Sequence, residues 1–121
     1  MTLNVDLTES KVDQAVTLIN VFTVPPEESA LFLERWKDNA RIMAVQDGFL
    51  RARMFRAVHD DAESRFINVA EWESGKALDA ARVNPQWRAS IKRMLDDPDL
   101  HVKPRPVVYT TDLDVLPGDP L

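Results

Sequence analysis

Two stretches of this chain follow a strand pattern, and between them the apolar residues recur every three to four positions. Residues 16–24 and 65–73 are rich in β-branched and aromatic side chains and read as strands. Pro25-Pro26 stops the first strand, and Pro26-Glu27-Glu28 supplies the proline and early acids favoured at a helix start. Leu33, Trp36, Ala40 and Met43 then share one side, with Glu34, Arg35, Lys37, Asp38 and Arg41 elsewhere. That spacing predicts an amphipathic helix over 26–46, closed by Asp47-Gly48. Residues 49–58 read as a further strand. The link 59–64 is too short for a crossover, so 49–58 and 65–73 are expected to form an antiparallel hairpin. Ser74 is placed to cap a short helix over 76–82, and Asn84-Pro85 restarts a helix with an N-cap and a proline at its first position. Its apolar stripe is Trp87, Ile91 and Met94 or Leu95. Asp96-Asp97-Pro98-Asp99 ends it, and 107–111 is the last strand expected.

Strand, helix, strand, strand, helix, strand is the ferredoxin-like βαββαβ order of an α+β domain. The chain divides into a polar arm over 1–14, one domain over 15–112 and a tail over 113–121. Two helices cover only one face of a four-stranded sheet. Ile19 and Val21 nevertheless lie on the face opposite Asn20, and Ile67 and Val69 on the face opposite Asn68. Apolar residues on both faces predict a homodimer in which a second copy covers the open one, a dimeric α+β barrel. The competing reading is strand propensity with a partly wet face.

Composition narrows the chemistry. At 121 residues and 45% apolar content, the chain is long enough to bury a core. A net charge of −5 argues against nucleic acid as a partner. The absence of cysteine removes disulfides, thiolate nucleophiles, iron–sulfur clusters and thiolate zinc sites. No apolar run approaches the ~20 residues of a membrane span, and the polar opening Met1-Thr2-Leu3-Asn4 is no secretory signal. A cytoplasmic protein without membrane contact is the expectation. Gly48, Gly75 and Gly118 form neither a phosphate loop nor a dinucleotide fingerprint. His59 and His101 lie in loop segments with no second ligand at helical spacing, so no metal site is expected.

The candidate chemistry lies in the strands. Asn20 shares a face with Leu18 and Phe22, and Asn68 shares one with Phe66, Ala70 and Trp72. A buried amide must find partners or lose a few kcal/mol. Neutral amides beside an indole suit a flat, oxygen-bearing ligand that gains negative charge as it reacts. Asn20, Asn68 and Trp72 are therefore the candidate catalytic residues. Phe22, Phe66, Trp36, Leu78 and Trp87 are the candidate substrate-binding walls. The bland alternative is a pair of ordinary core amides satisfied by backbone or by each other.

Thr17-Leu18-Ile19-Asn20-Val21-Phe22-Thr23-Val24, the Asp47-Gly48-Phe49-Leu50 turn, and Asn68-Val69-Ala70-Glu71-Trp72-Glu73-Ser74 before a helix resemble the antibiotic biosynthesis monooxygenase family. The likeness runs from about Val16 to Tyr109. It implies a dimeric α+β barrel and an enzyme resembling small oxygenases of aromatic polyketide biosynthesis. Those enzymes oxidise an anthrone- or hydroquinone-type ring with O2 to a quinone, using neither metal nor flavin. The resemblance also implies reactive roles for the residues matching Asn20, Asn68 and Trp72. The chain departs from some relatives at a helix tyrosine, where Leu78 stands, and at a helix arginine, where Ile91-Lys92 stands. It departs again at a strand histidine, which falls near Phe55. A haem-ligating histidine is missing between Trp87 and Met94. Two other outcomes fit the same scaffold: a non-catalytic small-molecule-binding protein, and a cofactor-free cyclase or isomerase.

Overall fold

The computed structural model describes residues 13–59, 61 and 64–121; most of the expected arm over 1–14 lies outside them. The elements are β1 Val16–Thr23, α1 Ser29–Met43, β2 Phe49–Arg56, β3 Ser64–Trp72, α2 Gly75–Arg82, α3 Pro85–Asp96 and β4 Lys103–Tyr109. All strand pairings are antiparallel, in the order β2-β3-β1-β4. This is the ferredoxin-like fold that the element order predicts.

Several local expectations hold in detail. The Ser74 side chain accepts the Ala77 N–H, and that of Asn84 accepts the N–H groups of Gln86 and Trp87. Each satisfies donors that a helix start leaves orphaned. Gly48 turns the chain between α1 and β2 at φ 81°, a conformation that favours glycine. The first helical segment begins as a 3-10 turn, Pro26–Glu28, and the α-helix ends at Met43, short of residue 46.

The last strand is where the sequence expectation of 107–111 fails. β4 starts at Lys103 and runs through Pro104 and Pro106. Proline is tolerated there because β4 is an edge strand, bonded only to β1.

One face of the sheet packs on the helices, and its core has two apolar parts. Val16, Leu18, Met43, Ala70, Trp72, Leu78 and Ala81 form one, closed by Trp87. Phe22, Val24, Phe32, Phe66, Met94 and Leu100 form the other. In the second, the Phe32 ring lies 4.8 Å from Phe22 and 4.9 Å from Phe66. Burying each such ring contributes about 1.5–3 kcal/mol. Leu18 and Ala70 belong to the first part, Phe22 and Phe66 to the second. Asn20 and Asn68 therefore fall at the junction.

Candidate active site

Asn20 and Asn68 are direct partners in the β1–β3 register. Pro106 on β4 and Met54 on β2 extend the same row across the sheet. A cavity of about 530 Å³ opens above this row, between the sheet and the helices. Asn20, Asn68, Leu18, Phe22, Pro104 and Pro106 line it from the sheet. Trp36, Asn39 and Met43 of α1 and Trp87, Ile91 and Met94 of α3 line it from the helices. The volume lies within the usual range of small-molecule sites, as does a mostly apolar lining with few polar groups.

Five of the eight candidate residues meet here: Asn20, Asn68, Phe22, Trp36 and Trp87. Trp72, Phe66 and Leu78 do not line the cavity and are at most 1% exposed. Trp72 pairs with Val16, four residues along the strand from Asn68, so its ring enters the first core part. There it stands edge-on to Phe49 at 5.3 Å and 6.1 Å from Trp87. It supports a cavity wall from behind.

The two strand amides differ in what holds them. Asn20 Oδ1 accepts the backbone N–H of Arg105 at 3.0 Å. Arg105 carries the one backbone donor between two prolines. This bond fixes the amide and leaves its NH2 as the group to offer a ligand. Asn68 is 2% exposed, and its Oδ1 is buried with no hydrogen-bond partner among the described residues. Trp72 Nε1 is in the same condition. Orphaning a buried polar group costs about 1–3 kcal/mol, a cost that a ligand hydroxyl donating to Asn68 Oδ1 would remove.

A third amide was not singled out from sequence. Asn39 is buried on the cavity side of α1, and its Nδ2 donates to Ser90 Oγ at 2.9 Å. Ser90 Oγ in turn donates to the Trp87 carbonyl at 2.8 Å. The chain of bonds ties α1 to α3 across the cavity and holds Asn39 in place. Its position three residues after Trp36 and four before Met43 was the available signal.

Charge is confined to the rim. Arg82, Arg88, Lys92 and Asp96 line the mouth; Arg82 and Arg88 were also missed by the sequence reading. Lys92 Nζ lies 2.5 Å from Asp96 Oδ2, and this hydrogen bond and charge raise the Lys92 pKa. Neither His59 nor His101 lines the cavity. His101 Nδ1 is instead 2.8 Å from Glu28 Oε2, where its backbone N–H also bonds the Glu28 carboxylate. Among the described residues no cluster of three or more His, Asp or Glu is placed to hold a metal ion, and no helix is long and apolar enough to cross a membrane.

Antibiotic biosynthesis monooxygenases as a family match residues 15–93, from before β1 into α3. The chain is similar to SnoaB, a cofactor-independent oxygenase from Streptomyces nogalater, at 25% identity and TM-score 0.68, covering 86% of this chain and 98% of that one. It is similar to a candidate monooxygenase from Shewanella loihica at 26% identity and TM-score 0.67, covering 84% and 97%. A Caulobacter crescentus structure shares the fold at 16% identity and TM-score 0.70, covering 89% and 99%. Among curated protein sequences, none matches. Family and neighbours together support a monooxygenase in the general sense. A match spanning well over half the chain, on the sheet and helices that enclose the cavity, makes this protein a member of the antibiotic biosynthesis monooxygenase family.

Proposed function

We propose that this protein is a cofactor-independent monooxygenase that oxidises an anthrone- or hydroquinone-type aromatic polyketide with O2 to a quinone. The observation that carries this reading is the unpartnered Oδ1 of Asn68, level with Asn20 in the lining of an apolar cavity. Similarity to SnoaB, itself a cofactor-independent oxygenase, supports the same reading.

Triplet oxygen reacts slowly with closed-shell molecules, so the substrate must first become electron-rich. Loss of a proton from an anthrone CH2 gives an enolate, whose oxygen carries the developing charge. The Asn20 NH2 is a fixed donor for that oxygen, and stabilising such charge in a dry site is where preorganised amides act most strongly. The enolate gives an electron to O2, and the carbon–oxygen bond forms as a peroxide. Breaking the O–O bond leaves a new carbonyl. The CH2 group and O2 become C=O and H2O, with no other reductant required. The Asn68 amide contacts the ring oxygen or the peroxide, and Trp72 keeps Trp87 against the ring.

An oxygen electrode with an anthrone panel, in the presence of chelator, tests this directly. The proposal expects one O2 consumed per quinone formed. Ring binding without O2 uptake identifies a binding protein instead, and turnover without oxygen identifies a cyclase or isomerase.

A homodimer belongs to the same proposal. The outer sheet rows are Val107–Ile19–Val69–Arg53 and Arg105–Val21–Ile67–Phe55. Phe55, Val107 and Tyr109 are each more than a third exposed in the single chain. Val69→Glu would yield a monomer by sedimentation if a second copy covers this face; an unchanged mass contradicts it.

A further inference from the structure

We infer that the ligand of this cavity carries an acidic group, which Arg82 and Arg88 hold at the mouth while the ring lies inward. The inference rests on reading the cavity as an aromatic-substrate site, and it adds the substrate's charge and orientation. Arg82 is the last residue of α2, and Arg88 sits in the first turns of α3. Arg88, Lys92 and Asp96 recur every four residues along one side of α3, so all three border the same opening. Lys92 and Asp96 neutralise each other at 2.5 Å. Arg82 and Arg88 make no ion pair or side-chain hydrogen bond among the described residues, so the mouth carries two uncompensated positive charges.

The surroundings make this pairing notable. The chain has 20 acidic residues against 15 basic ones. Two arginines outside the mouth pair with acids, Arg35 with Asp97 at 2.9 Å and Arg41 with Asp38 at 2.9 Å. Arg88 also lies near a helix start, where the helix's own partial positive charge disfavours a cation, and no acid stands in that turn. An anion at the mouth would offset both arginines and the helix end together. The interior offers no such counter-charge, since its polar groups are neutral amides. A carboxylate buried there would be desolvated without a partner. The acidic group is therefore held at the rim, and the ring's far edge is directed toward Asn20 and Asn68.

Fluorescence of the cavity tryptophans, Trp36 and Trp87, gives a readout independent of turnover. The probes are 9-anthracenecarboxylate and its neutral counterpart 9-anthracenemethanol, titrated at low salt. The carboxylate should bind the wild type about tenfold more tightly, as one charge-assisted arginine fork provides. In the Arg82→Gln, Arg88→Gln double variant the two probes should bind alike, with the alcohol's affinity as in the wild type. Should the double variant fail to fold, each single variant is expected to cut the preference by about threefold. Equal binding of both probes to the wild type overturns the acidic anchor alone, as does a preference that survives the arginine substitutions. Failure of both probes to bind the wild type overturns the cavity assignment, and the anchor with it.

Discussion

Asn20 and Asn68 face each other across the β1–β3 pair, yet only Asn20 has its oxygen engaged, by the Arg105 N–H at 3.0 Å. Two identical side chains in adjacent positions thus have different duties. One is held by the β4 backbone and can offer only its NH2. The other is buried, with its oxygen unpartnered.

Asn68→Ala separates function from stability. Losing a donor to a developing oxyanion typically lowers rate by ~10²–10³. Stability should hold or rise, because the orphaned oxygen goes with the side chain. Oxygen uptake and thermal unfolding on the same preparation check both. A small rate loss with a large drop in melting temperature would assign Asn68 a packing role.

Asn20 is best tested by two substitutions. Asn20→Ala removes the acceptor for Arg105 and should loosen β4, costing about 1 kcal/mol. Asn20→Asp keeps the acceptor and removes the donor. Hydrogen exchange at the Arg105 amide should then stay slow in Asn20→Asp and quicken in Asn20→Ala, while turnover falls in both.

Trp72→Phe addresses the residue that lies behind the cavity. Its indole N–H is buried without a partner among the described residues, and its ring stands 6.1 Å from that of Trp87, which lines the cavity. Turnover should fall less than in Asn68→Ala. A loss as large as that of Asn68→Ala would give the indole a direct part in electron transfer.

Acid should loosen two ties between the elements. The backbone N–H of His101, and then its side chain, hold the Glu28 carboxyl below its ordinary pKa. The backbone N–H of Asp99, and then the Arg35 guanidinium, do the same for Asp97. A lowered folded-state pKa means the stabilisation is present above the unfolded-state value and is lost as pH falls through the folded one. Glu28→Gln and Asp97→Asn should therefore be less stable than wild type at neutral pH. The gap should close in acid, below the ordinary carboxylate range, as read from urea midpoints against pH.

Gly48→Ala tests the turn into β2. The backbone is at φ 81°, and an added Cβ would lie 2.5 Å from Ala77 Cβ. A loss of about 1–3 kcal/mol is expected. Ala77→Gly should restore part of it, since the clash is with that methyl; no rescue would leave the backbone strain as the whole effect.

How far the sequence led depended on the kind of signal. Asn84-Pro85 and Ser74 marked helix starts because capping is a local matter, and the short link after β2 forced a hairpin. β4 was misjudged at Lys103 because prolines end most strands, and only its edge position lets Pro104 and Pro106 remain. Asn39 and Ser90 were passed over because a polar residue within an apolar stripe resembles solvent-facing surface until the partner helix is placed. Alternation identified the face that Trp72 and Phe66 occupy. It carried no information on the level along the strand at which the cavity opens, and that level separates Asn68 from both.

A structure of the protein with bound 1,8-dihydroxyanthraquinone, a product-like ring, shows whether the two strand amides meet on one ring oxygen. The ring is expected between Trp36 and Trp87, with one of its oxygens at hydrogen-bond distance from the amides of both Asn20 and Asn68. A ring seated elsewhere, or one in the cavity whose oxygens leave the Asn68 amide unbonded, contradicts it.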